Sequence, residues 1–258
     1  MNKIEKILPE DENSGGIQKL SFEKLSWAAF ISRLLGESGP DAYLTVFKDI
    51  RFREALAREP SSIDPEELRA KLIAGFLNKW RSRFPNNPHA ALAIIKAIQA
   101  VQPLIQALQP FTIVDIDFDS FLIINGNKIT ASNATAKIFS TVCRCHGFRS
   151  TAGAKILGVI NPSLFVMWDD SILYHYLSAF SGAYDGSGYV AFLGKMQKAA
   201  HFCLKDFELQ QHDCDLEHYL SDKLNVHPKL PIAKYLDEYN WITITKGISL
   251  PPKWHPLT

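Results

Sequence analysis

The run Arg149-Ser150-Thr151-Ala152-Gly153-Ala154, followed past a proline-bearing loop by Trp168-Asp169-Asp170, carries the residue types in this chain best suited to chemistry. A tight turn between two short helices presents backbone N–H groups that no intrahelical carbonyl accepts. Such groups hold a phosphate oxygen without reading base sequence. Gly147 lets another backbone come close, Arg149 adds charge, and Ser150 and Thr151 open the second helix. The small Ala152, Gly153 and Ala154 let that helix pack tightly. Asp169, past the loop, reads as a carboxylate at the mouth of a cleft. There it could stabilise positive charge developing on a sugar or activate a water, as in sugar hydrolysis. Asp170 is the alternative. Asp169 also suits the N-cap of a helix running from Ser171 to Phe180, and one carboxylate can serve both purposes.

The elements that must position these residues read as helices. A helix is expected from Phe22 to Leu35, stopped by Gly36 and Gly39-Pro40, and a further helical stretch from Tyr43 to Leu56. Asp64-Pro65-Glu66-Glu67 is a strong start signal: Asp64 caps, Pro65 fits the first turn, and the two carboxylates suit the positive end of the helix dipole. That helix is expected to run to about Arg83, and another from Ala90 to Leu108. Phe111–Val114 and Phe121–Ile124 have strand character, and Asn125-Gly126 is a hairpin turn. A small hairpin or an extended loop follows from this, not a full sheet. Helical patterning resumes at Asn133 and continues to about Trp241, with breaks near Gly147, Asn161-Pro162, Gly182 to Gly188 and Pro228 to Pro231. The expected fold class is mainly α: a flexible tail over residues 1–18, then one mostly helical domain, or two intimate lobes, over residues 19–258.

The chain is 258 residues long with 47% hydrophobic residues and a formal net charge of +1, so no global field draws it to nucleic acid or membrane. Charge is segregated locally. No Asp or Glu lies between Ser120 and Trp168, a stretch that carries Lys128, Lys137, Arg144, Arg149 and Lys155. Lys71, Lys79, Arg81 and Arg83 form a second basic cluster, and the acidic residues gather from Asp206 to Asp222. Such segregation can make a basic face on a near-neutral protein. It also fits an ordinary solvated surface.

The segment from His146 to Ile172 resembles the hairpin region of the adenine DNA glycosylases, in the helix-hairpin-helix superfamily of DNA glycosylases. The resemblance implies a helix-hairpin-helix element, DNA held through its backbone phosphates, and monofunctional N-glycosylase chemistry on a flipped nucleotide. Asp169 would be the catalytic carboxylate. The backbone from Gly147 to Ala152 would hold a phosphate, and Arg149, Lys155 and Arg83 would line the basic face. The departures bear on activity. The second hairpin glycine is replaced by Phe148. Ser150 stands where strand-nicking relatives carry a nucleophilic lysine, and Lys155 lies one helical turn further on. The cysteine ladder of an iron–sulfur cluster is absent near the C-terminus. The chain reads as a divergent member. A non-catalytic nucleic-acid module of the same fold and a helical protein-interaction domain stay open beside the enzyme.

Other constellations say less. Asp115, Asp117 and Asp119 have the spacing of a calcium loop, but Ser120 and Gly126 stand where the glycine and the final glutamate belong. Cys143, Cys145, Cys203 and Cys214 lack Cys-x-x-Cys spacing and read as helix-face cysteines. Asn78, Trp80 and Arg83 end a helix; Trp80 suits either base stacking or the core. Tyr184-Asp185-Gly186-Ser187-Gly188 lacks the lysine of a phosphate loop. No cofactor and no metal site is expected. No apolar run is long enough for a membrane span, and the four cysteines suit a reducing cytoplasm.

Overall fold

The computed structural model describes residues 20–35, 38–145, 150–177 and 186–249. The expected tail over residues 1–18, the Gly36 and Gly147 breaks, and residues 182–185 of the Gly182 to Gly188 break lie outside them, while Gly186 to Gly188 open a helix. Among the described residues the fold is mainly α with one small β-hairpin, as the patterning predicts.

Helix α1 (Phe22–Leu34) begins where the Ser21 hydroxyl accepts from the Lys24 N–H. The stretch read as one helix from Tyr43 to Leu56 is two, α2 (Ser38–Lys48) and α3 (Ile50–Arg58). Asp49 divides them because its carboxylate accepts from the Phe52 N–H and starts a new helix there. Helix α4 (Pro65–Leu68) is capped by Asp64 as expected, and continues as a π-helix over Arg69–Leu77. The helix ends there, short of the expected Arg83, because the chain turns back on itself. The Asn78 side chain accepts from the Phe84 N–H at 2.6 Å and donates to the Phe84 carbonyl at 3.0 Å, closing a loop over residues 78–84.

Helix α5 (Pro88–Leu108) starts at Asn87, whose side chain accepts from the Ala90 N–H. Contrary to the sequence expectation, α5 is long and apolar enough to cross a membrane on length and composition alone; half of it is buried in this fold. Phe111–Val114 forms turns instead of a strand, because the Thr112 hydroxyl accepts from two backbone N–H groups just ahead of it. Strands β1 (Phe121–Ile124) and β2 (Asn127–Thr130) pair antiparallel with Ile124 opposite Asn127. Asn125 and Gly126 at the tip both take positive φ, 52° and 77°, as a two-residue hairpin of the primed type requires.

Helix α6 (Ala131–Cys143) packs on α5 and on α9 (Gly186–Leu209), while α1 packs on α11 (Ile232–Asn240). Helix α7 (Ser150–Ile160) lies close against α6. A Cβ at Gly153 would stand 2.2 Å from the Cys143 Sγ, so a glycine is required where the two helices approach. Helix α7 ends at the predicted Asn161-Pro162 break. The buried Asn161 amide donates to the Leu108 carbonyl at 3.1 Å and to the Phe111 carbonyl at 3.3 Å, tying α7 to the end of α5. Helices α8 (Asp170–Leu177) and α10 (Leu216–Lys223) complete the set, and α11 runs on into a second π-helix over Trp241–Thr245.

The core is aromatic where it carries the segment before Asp169. Trp168 is buried edge-on against Phe139 at 5.5 Å and Tyr189 at 5.0 Å, and its indole N–H donates to the Ser150 carbonyl at 3.3 Å. The Tyr189 hydroxyl donates to the Val166 carbonyl at 2.9 Å. Burying these rings removes water from a large apolar surface and fixes residues 166–168 against α6, α7 and α9.

Candidate functional site

A cleft of about 810 Å³ opens where α7, the start of α8, the 78–84 loop and the end of α11 meet. It is lined by Thr151, Lys155, Asp169 and Arg83 among the residues singled out from the sequence, and also by Trp80, Asp237, Trp241, Thr245 and Lys246. The volume falls in the range of small-ligand and cofactor pockets.

Asp169 is held at three points. Trp168 anchors it from behind. One carboxylate oxygen accepts from the Ile172 N–H at 3.0 Å, which makes Asp169 the N-cap of α8. The other accepts from the Thr245 hydroxyl at 2.6 Å, across 76 residues of chain. The carboxylate therefore has a fixed orientation, with lone pairs left over for a further donor. Asp170, the alternative, accepts from the Thr151 hydroxyl at 3.3 Å.

The opposite wall is basic. Lys79, Arg81 and Arg83 are exposed on the 78–84 loop, and no carboxylate pairs with them among the described residues. Arg81 and Arg83 both take left-handed backbone, with φ of 58° and 49°. That conformation costs a residue with a Cβ about 1–2 kcal/mol, and strain of this kind collects at functional sites. The second basic cluster is thus divided. Lys71 is bound to Asp49 and Glu67, at 2.6 and 2.7 Å, and plays no part in the cleft.

Lys155 does not project from a basic face. It is 5% exposed, and its ammonium donates to the Trp80 carbonyl and the Ser82 hydroxyl, each at 3.0 Å. Burial lowers its pKa to about 8, against the opposing pull of Asp237 and Asp169. Beneath it lies a largely buried ion cluster. Lys234 pairs with Asp237 and, at 3.8 Å, with Glu238, and Arg33 pairs with Glu238 at 2.5 Å. Burial pushes the carboxyls of Asp237 and Glu238 upward, against the attraction of those cations. Trp80 roofs the cluster, with the Lys155 and Lys234 ammonium groups 5.1 and 4.9 Å from its ring and Trp241 at 6.0 Å.

Gly147 and Arg149, expected on the phosphate-binding hairpin, lie outside the described residues. Ser150 is buried at the start of α7 with its carbonyl facing Trp168. Lys128 sits on the β-hairpin, 4.0 Å over the Phe121 ring, and does not line the cleft. Among the described members of the basic stretch from Ser120 to Trp168, Lys155 alone reaches the cleft. Asp115, Asp117 and Asp119 lie in turns, where Asp117 accepts from the Asp119 N–H. Cys143 and Cys203 are buried on helices, Cys145 is half-buried and Cys214 is exposed; all four are free thiols. Burial raises the pKa of Cys145 to about 11.

Sequence reasoning passed over Thr245 and Lys246, which a π-helix and its C-cap bring to the cleft, read Trp241 only as the end of a helix, and counted Arg81 only as charge. Both π-helices in the described residues lead into this cleft, and such segments recur at functional sites. Comparison with protein-family models, with curated proteins and with solved structures finds no match for this chain.

Proposed function

We propose that the cleft binds nucleic acid by its phosphates and hydrolyses the N-glycosidic bond of a nucleotide turned out of the stack. One observation carries this reading: a single cleft holds an oriented carboxylate, Asp169, together with Lys79, Arg81 and Arg83, which no carboxylate pairs with among the described residues. A nucleotide has the complementary charges. Its phosphates are anionic, and its sugar turns cationic as the bond to the base breaks. The basic loop holds the phosphate side, and the Trp80 and Trp241 side chains line the same cleft for the base.

In the step itself the C1′–N bond breaks and its electron pair leaves with the base. Asp169 stabilises the positive sugar, then takes a proton from the water that attacks C1′. Solvent supplies one proton to the departing base and later takes the water's proton back from Asp169, so the products are an abasic sugar and a neutral base with the carboxylate restored. The resemblance of residues 146–172 to the helix-hairpin-helix glycosylases supports the same chemistry, with Ser150 in place of a nucleophilic lysine and therefore no strand cleavage. DNA, held through its phosphates, is the proposed partner.

The engagement of both Asp169 oxygens favours a second reading, in which the carboxylate only caps α8 and the cleft binds without catalysis. Asp169→Asn separates the two. An amide keeps an oxygen for the cap but can neither take the water's proton nor balance a cationic sugar. Single-turnover base release from damaged duplexes is expected to fall by about 10²–10⁴-fold, with duplex binding retained. Unchanged release in the variant would contradict a catalytic role for Asp169.

A further inference from the structure

The 78–84 loop holds two strained arginines, and its backbone N–H groups at Trp80, Arg81 and Ser82 donate to Phe76, Asn78 and Leu77 carbonyls, which fixes its start. Two side chains fasten it further, and one of these ties is local, the Asn78 side chain on the Phe84 backbone. The other comes from a different helix: the buried Lys155 ammonium reaches the Trp80 carbonyl and the Ser82 hydroxyl, the residues on either side of Arg81. Lys79, Arg81 and Arg83, which pair with no carboxylate among the described residues, repel one another, and these ties oppose that repulsion.

We infer that Lys155 is a positioning residue: from inside the protein it pins the loop so that Arg81 and Arg83 converge as a preformed phosphate clamp. The inference deepens the nucleic-acid reading and rests on it for the identity of the natural ligand. The clamp itself needs only a phosphate-rich anion. Lys155 does not contact that anion, because its donors point at Trp80 and Ser82 and it is almost wholly enclosed. Its effect on binding therefore passes entirely through the arginines.

That dependence makes a double-mutant cycle decisive. Affinities for inorganic tripolyphosphate and for a duplex bearing a stable abasic-site analogue are measured for the full chain, for Lys155→Met, for Arg81→Ala with Arg83→Ala, and for the triple variant. Losing the peg is expected to weaken tripolyphosphate binding about three- to tenfold, the range of one or two hydrogen bonds, and to add nothing once both arginines are gone. A full, independent loss in the triple variant would overturn the inference and make Lys155 a direct contact or a purely structural group. Where Lys155→Met fails to fold, Ser82→Ala replaces it in the same cycle, with about a twofold loss expected that again vanishes without the arginines. A chain that binds tripolyphosphate with this coupling but ignores the duplex would remove the nucleic-acid reading and leave the clamp. A chain that binds neither overturns both.

Discussion

The cleft sets two charged regions side by side, and they are built in opposite ways. Its rim cations, Lys79, Arg81 and Arg83, are exposed and pair with no carboxylate among the described residues, and the two arginines are strained in backbone. In the floor beneath, Lys234, Asp237 and Glu238 are buried and Arg33 is half-buried, and all four are ion-paired, with Asp237 the one of them that lines the cleft. Buried charges must be matched within the protein, because desolvation costs more than any single pair returns. Matched charges are closed to a ligand. Exposed, unmatched cations on a shaped loop add little to stability and remain open to an anion. The floor accordingly belongs to the fold and the rim to the ligand, with Lys155 joining the two.

The largest effect expected is on catalysis, at Asp169→Asn, and it should leave both charged regions as they are. Next in size is the floor. Arg33→Met leaves Glu238 without its closest partner, and denaturant unfolding is expected to show a loss of about 3–5 kcal/mol, while the salt dependence of duplex binding stays the same. If the salt dependence moved with it, the floor would be part of the binding surface and the comparison would fail.

Lys155 gives a pH signature of the join. Its pKa in the folded protein, about 8, lies below that of the unfolded chain. Between those values the unfolded chain holds a proton that the folded one lacks, so stability rises with pH through that window. The penalty is fully present below about pH 8. Relative to Lys155→Met, which has no such group, the natural chain is expected to gain on the order of 2–3 kcal/mol between pH 8 and pH 10.5. Parallel stability curves for the two proteins would contradict the buried, fastened lysine.

The smallest effect sharpens the rim. Arg81→Gly removes both a cation and a strained left-handed residue. Thermal unfolding is expected to show a gain of about 1 kcal/mol, while the slope of log affinity against log salt falls by about 1 for each phosphate that the loop no longer neutralises. A stability loss would mean that Arg81 is part of the fold.

Much of the framework was legible in the residues. Asp64-Pro65 starts α4, Asn125-Gly126 turns the hairpin, Asn161-Pro162 ends α7, and Asp169 caps α8, because each signal is local. The Asp49 break in the second helical stretch went unseen, since an aspartate inside an apolar-periodic run reads as a surface residue until its carboxylate is found on the Phe52 N–H. Half of the cleft was legible as well. Asp169, Thr151 and Arg83 meet there, but Thr245 and Trp241 arrive from far along the chain on a π-helix, whose residues carry no periodicity that separates it from an α-helix. Lys155 was misjudged for a related reason. Charge in a sequence is read as surface, and only tertiary packing reveals a lysine turned inward to hold a loop.

The most direct test of the account is binding to a duplex carrying a stable abasic-site analogue against the same duplex undamaged, at two salt concentrations. The account predicts a preference for the abasic duplex that weakens steeply as salt rises, because the cleft takes an extrahelical nucleotide while the basic loop displaces counterions. Equal affinity for the two duplexes, or no binding to either, would contradict it.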